Sequence, residues 1–272
     1  MRTFSAKPTA LFQCIWRNRS LIAASARREV VGRYQGSIFG LLWSFFNPLL
    51  MLAVYTFVFT EVFKARWSSN GYVKVEFALV LFAGLIVFNI FSECINRAPN
   101  LILANPNYVK KVVFPLEVLP VIILISSLYH ALVGMFVWFV AYIIFVGMPN
   151  WSAVLLPLLL LPFSLFVLGL SWILASLGVF LRDVSQFVAV ITTVLLFMSP
   201  IFYPVNALPE IYHGIVYFNP ITPIVEMVRE ILYWGIWVRV EVIAGYWLFC
   251  MLIAWIGFAW FQKTRKGFAD VL

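Results

Sequence analysis

Three groups of residues carry the chemistry available to this sequence. Arg27, Arg28 and Arg33 stand just ahead of Tyr34, Gly36 and Ser37. A guanidinium group matches phosphate oxygens two at a time, so this cluster can hold an anionic head group; the plainer alternative is an arginine snorkelling to a membrane interface. Lys110 and Lys111 follow Asn105, Asn107 and Tyr108 in a proline-bounded segment. They can meet acidic groups on a partner or lipid phosphates, or serve only to set topology. Glu226, Arg229 and Glu230 are spaced i, i+3, i+4. They can pair within one helix or across a symmetry axis, or form a solvated face.

Other chemistry is poorly served. Asp183, beside Arg182, is the only internal aspartate and has no second acid next to it, which argues against a membrane-embedded transferase. Cys14, Cys94 and Cys250 are far apart and lack metal-ligand spacing. His130 and His213 are isolated, and His130 reads as a hydrogen-bonded residue inside a span. No Gly-x-x-x-x-Gly-Lys-Ser/Thr loop is present, so ATP is not bound here by that route.

The elements that must position these residues are membrane helices. Hydrophobic residues make up 64% of the 272 and mean hydropathy is +0.99. From Val118 to Leu181 there are 64 residues without an Asp, Glu, Lys or Arg. A charge at a bilayer centre costs about 2.5–3.5 kcal/mol on insertion scales, and one span needs about 20 apolar residues. The run therefore holds two spans, with Gly147-Met148-Pro149-Asn150 as the turn. Charge-free windows predict six spans: Tyr34–Thr60, Phe77–Ser92, Leu119–Val146, Ala153–Leu181, Val184–Tyr203 and Val242–Gln262.

The net charge of +8 suits nucleic acid in a soluble protein, but here the basic residues sit at span ends, against membrane lipids. With both termini inside, 14 of the 19 Lys and Arg fall on inner segments, as the positive-inside rule expects. The basic N-terminus has no cleavable apolar signal close behind it, so the first span is expected to direct insertion.

Three segments depart from a plain bundle. Residues 1–33 form a cytoplasmic interface segment, with Leu11, Phe12, Ile15 and Trp16 expected on one face of an amphipathic helix after Pro8. Residues 34–272 form a single transmembrane domain, interrupted by the loop 96–117 and the outer segment 204–239. The loop predicts a short helix suited to a groove on a cytoplasmic partner. The outer segment, with Pro204, Pro209, Pro220 and Pro223, predicts two short re-entrant or interfacial helices broken near Asn219-Pro220.

These segments resemble a known family. The stretch from Arg33 to Trp43, followed by Asn47-Pro48-Leu49, is similar to the approach to the first span in ABC-2 type polysaccharide exporter permeases, with Phe39-Gly40 where that family commonly has Leu-Gly. Asn107 to Glu117 resembles its loop between spans two and three. Ser199 to Pro204 and Asn219 to Pro223 resemble its outer segment, and Gly267 to Leu272 its ending. The family exports O-antigen, capsular polysaccharide and teichoic acid, and the likeness points first to O-antigen.

The resemblance implies a homodimer in the bacterial inner membrane, with both termini cytoplasmic and two separate ATPase subunits binding ATP and Mg. It implies a substrate of glycan on polyprenyl pyrophosphate. Arg33 is then expected at the head group, supported by Tyr34, Gly36, Ser37 and Arg28. Coupling to the ATPase is expected through Asn105, Asn107, Tyr108, Lys110 and Lys111. Sugars slide on aromatic faces, for which Trp43, Phe46, Tyr55 and Phe59 in the first span are candidates. Tyr203, Asn219, Glu226, Arg229 and Glu230 are expected at an outer gate. An ABC-2 exporter of a drug or small lipid is the nearest alternative.

Overall fold

The computed structural model describes residues 8–63, 67, 75–110 and 114–271, and every regular element among them is helical. α1 (Pro8–Arg17) and α2 (Arg19–Tyr34) break at Asn18, whose side-chain amide donates to the Cys14 carbonyl at 2.8 Å. The single apolar face expected on α1 is divided. Leu11 is buried and Ile15 packs on the core, while Phe12 and Trp16 are 67% and 72% exposed. Residues i, i+1, i+4 and i+5 cover about 140° of arc, wide enough to address two surroundings. The outward aromatic pair lies beside Arg17 and Arg19, as suits a helix lying in an interface.

Gly36 and Gly40 adopt φ of +85° and +49°, a backbone that only glycine takes readily. They turn the chain out of α2, so the first span begins at Gly40 and not at Tyr34. It comprises a 3₁₀ turn, α3 (Trp43–Thr56) and a π-turn over Phe57–Val62. α4 (Glu76–Arg97), the five-residue α5 (Pro106–Lys110), α6 (Val118–Phe145), α7 (Leu156–Phe180) and α8 (Val184–Met198) follow. Two short helices, α9 (Glu210–Phe218) and α10 (Thr222–Arg229), then flank the expected break at Asn219-Pro220. α11 (Val240–Thr264) and α12 (Phe268–Val271) close the described chain.

Among the described residues, five helices are long and apolar enough to cross a membrane: Gly40–Val62, Glu76–Asn100, Val118–Phe145, Trp151–Phe180 and Val240–Gly267. The chain is thus a multi-pass helical membrane protein. The remaining expected span, α8, has 15 residues, about 22 Å against a hydrocarbon core of roughly 30 Å. It stops at Met198 and not Tyr203 because Ser199 is extended (ψ 144°) ahead of Pro200.

α4 is the axis of the bundle. It packs against α3, α6, α7, α8 and α10, and 83% of its span is buried, against 11% for the first span. Indole donors tie the neighbours: Trp138 Nε1 donates to the Leu79 carbonyl (2.8 Å) and Trp172 Nε1 to the Glu117 carbonyl (3.0 Å). α7 and α11 are joined by Ser176 Oγ donating to Thr264 Oγ1 at 2.7 Å. Long-range bonds also fix sidedness. Glu117, just before α6, accepts from the Cys14 thiol (3.3 Å) and from Arg265 (2.5 Å). The N-terminal helices, the loop before α6 and the end of α11 therefore share one end of the bundle. At the other end, Ser152 donates to the Ile231 carbonyl at 2.6 Å.

Candidate functional site

At the α2 end, α2, α3, α4 and α6 enclose a cavity of about 270 Å³. Helical periodicity builds its walls. Asn47, Met51 and Tyr55 recur at i, i+4, i+8 along α3; Asn89 and Glu93 do so along α4; Ser127, His130, Ala131 and Gly134 share one stripe of α6. Arg33 and Tyr34 close the cavity from the last turn of α2. The Tyr34 hydroxyl stands 3.4 Å from His130 Nδ1, with the rings edge to face at 5.8 Å. His130 is thus a hydrogen-bonded span residue, as its isolation suggested, and also a wall of the cavity.

Charge is organised as a ladder across α2 and α4. Arg33 pairs with Glu93, Glu93 lies 3.5 Å from Arg97, and Arg97 pairs in turn with Glu29. Glu29 and Arg33 are i, i+4 on α2; Glu93 and Arg97 are i, i+4 on α4. Two rungs therefore clamp α2 onto α4. Glu93 was not foreseen as a site residue. Its i, i+4 relation to Arg97, just past the charge-free run Phe77–Ser92, is the signal that marks it.

The five residues expected at the head group divide. Arg33 and Tyr34 line the cavity. Gly36 makes the turn, and Ser37 Oγ donates to the Tyr34 carbonyl at 2.8 Å, so these two shape the approach without lining it. Arg28 is separated from Arg33: five residues on a helix turn about 140°. It lines a second cavity of about 320 Å³, with Asn105 and Tyr108 of the expected coupling loop. There Asn105 Nδ2 donates to the Leu101 carbonyl (2.9 Å), and Tyr108 stacks on Phe114 at 4.3 Å. Asn107 and Lys110 are exposed on α5, and Lys111 lies outside the described residues.

The first-span aromatics also separate. Tyr55 lines the cavity. Trp43 and Phe46 form an exposed edge-to-face cluster with Phe39. Phe59 stacks on Phe77 at 4.9 Å and on Phe202 at 6.4 Å, near the far end of the span.

At that far end Arg229 is wholly buried, not part of a solvated face. Nε donates to the Val80 carbonyl (3.0 Å), Nη2 to Ile201 (2.8 Å) and Nη1 to Pro200. Nη1 also meets Glu226 at 3.1 Å, so the expected pairing within one helix is present. The guanidinium lies 4.4 Å from the Trp67 ring centre, and Gly84 leaves it room, since a Cβ there would stand 2.9 Å from a guanidinium nitrogen. Burial lowers Arg229 to about 10, so it stays charged at neutral pH. Burial raises the Glu226 and Glu230 carboxyls; the charge of Glu226 adds to the effect on Glu230. Asn219 is buried, donating to Ser199 Oγ (2.9 Å) and accepting from the Ile221 amide (3.0 Å). The Tyr203 hydroxyl donates to the Phe197 carbonyl at 3.1 Å.

The described residues thus form a helical membrane domain with a charged cavity at one end and a buried, hydrogen-bonded arginine beneath two short helices at the other. Comparison with known proteins names the class: residues 20–233 match the ABC-2 type transporter family, and the chain belongs to it. It is 26% identical over 258 residues to the O-antigen export system permease protein RfbA of Myxococcus xanthus, covering 94% of this chain and 96% of that protein. A protein of the same name from Klebsiella pneumoniae is 28% identical over 254 residues, covering 93% and 95%. The polysialic acid transport protein KpsM of Escherichia coli is 24% identical over 249 residues, covering 88% and 92%.

Proposed function

We propose that this chain is the permease subunit of an ATP-driven exporter of polysaccharide, with O-antigen carried on polyprenyl pyrophosphate as the substrate. The observation that carries the reading is the agreement of two O-antigen export system permeases and a polysialic acid transport protein along nearly the whole chain. A cavity offering a guanidinium paired with a carboxylate, two phenols and two amides at the α2 end supports it. In this reading two copies pair in the inner membrane, with both termini cytoplasmic. The sparse burial of the first span leaves a surface for the second copy. α8 completes six membrane segments, and α9 and α10 dip into the outer leaflet as a gate. Arg33 meets phosphoryl oxygens and Tyr34 supports it. Tyr55, Trp43, Phe46 and Phe59 give sugars flat, weakly binding faces.

Energy comes from two separate ATPase subunits, which hold ATP and Mg. α5 docks in a groove of the ATPase, with Asn107 and Lys110 outward. Its movement reaches α4 and α6 along the chain on either side of it, and α1 and the turn after α11 through Glu117. Arg33→Ala tests the head-group role. Surface glycan is lost while the permease still assembles and co-purifies with its ATPase; unchanged export rejects the role. Purification from native membranes without any ATPase partner rejects the transporter reading itself.

A further inference from the structure

Arg33 is not a bare cation. Glu93 already occupies it, and the two side chains are 38% and 18% exposed, so the carboxylate is the better sheltered of the pair. Glu93 meets Arg33 at Nη2, so an anion that takes both prongs of the guanidinium fork must displace a carboxylate fixed on the central helix. A head group with one negative charge only exchanges one anion for another and gives up a prearranged partner, so it gains nothing. Two adjacent phosphoryl charges exceed what the carboxylate offers and bring more acceptor oxygens to the guanidinium fork.

The displaced group is not stranded. Arg97 lies 3.5 Å from Glu93 on the same helix and is itself tethered to α2 by Glu29. When Arg33 turns to a ligand, Glu93 keeps a counter-ion, which avoids the cost of an unpaired sheltered charge. Selectivity of this kind has a use, because anionic phospholipids surround any cation at a cytoplasmic membrane face.

We infer that Glu93 is a specificity-determining residue: a built-in counter-anion that a two-phosphoryl lipid head group displaces from Arg33 and a one-phosphoryl head group does not. The inference rests on the head-group role of Arg33 proposed above.

The test uses two lipids alike except for one phosphoryl group, polyprenyl pyrophosphoryl N-acetylglucosamine and polyprenyl phosphoryl N-acetylglucosamine. Each is titrated into the nucleotide-free permease–ATPase complex in zwitterionic nanodiscs. The native complex is expected to favour the pyrophosphate by at least about tenfold. Glu93→Gln brings the ratio to about threefold or less, mainly by gaining affinity for the monophosphate. Glu93→Asp keeps the charge one methylene further from Arg33 and gives an intermediate ratio, which decides the matter if the glutamine variant does not assemble. Equal affinities in the native complex overturn the inference, as does a ratio unchanged in either variant. Arg33→Ala separates the two readings. If it binds both lipids as tightly as the native complex, the head-group role itself fails. If it weakens both while Glu93→Gln leaves the ratio intact, only the role of Glu93 fails.

Discussion

Arg33 and Arg229 are the same residue put to opposite uses. Arg33 stands at the lip of a cavity, held by one carboxylate and open to exchange. Arg229 is 0% exposed, with three backbone carbonyls, a carboxylate and an indole face around one guanidinium. A cation whose one charged partner is a movable carboxylate can be claimed by a ligand. A cation that satisfies the Pro200 and Ile201 carbonyls, which lie past the end of α8 and outside any helix ladder, is part of the frame. The contrast implies a rigid far end and an adaptable α2 end.

The largest effect should come from the rigid end. Arg229→Ala leaves Glu226 and three carbonyls without their donor and is expected to cost about 3–5 kcal/mol, seen as loss of folded permease in a thermal shift of the solubilised protein. Arg229→Lys keeps the charge but not the fork, and should recover only part of this. If alanine is tolerated, the contrast between the two arginines is broken.

A smaller effect tests whether the α2 end has fixed points of its own. Glu117→Gln weakens the bond to Arg265 and should cost about 2 kcal/mol by the same measurement. Cys14 reports on that node directly. Burial first and the adjacent Glu117 second push its thiol up to about 12, so it should resist maleimide at pH 7.5 in the native protein and react faster, but still slowly, in Glu117→Gln, where burial remains.

Arg33→Ala is expected to change stability by no more than about 1 kcal/mol, since partly exposed ion pairs contribute little, even where export is lost. A large loss of stability would make Arg33 a second structural arginine. The smallest effect is a pH dependence. The raised Glu226 and Glu230 carboxyls hold protons more readily in the folded state than in the unfolded one. Their contribution to stability is therefore full below the ordinary glutamate range and is lost as pH rises through their raised values. Hydrogen exchange over 222–234 should slow modestly as pH falls toward that range, after correction for intrinsic rates.

Much of the fold was legible in the chain. The charge-free runs marked the long helices, Pro8 began α1, and Asn219-Pro220 separated the two short helices. The basic residues foretold which segments share an end, and Cys14, Glu117 and Arg265 meet there. The head-group cluster was legible only in part, because Arg28 and Arg33 are neighbours in sequence but face different cavities. Glu93 was passed over as a span boundary, since nothing local to it points to α2.

The sequence by itself determined that this is a membrane protein, roughly where its long helices run and which segments share an end of the bundle. Those properties follow from local terms: the cost of charge in hydrocarbon, the helical repeat and the chemistry of proline. Tertiary structure alone decided who partners whom. It gave Arg33 to Glu93, buried Arg229 against Val80, Pro200 and Ile201, and set Tyr55 apart from Trp43 and Phe46. An ion pair between residues 60 apart depends on which helices come to lie side by side, and hydropathy along one helix does not encode its neighbour.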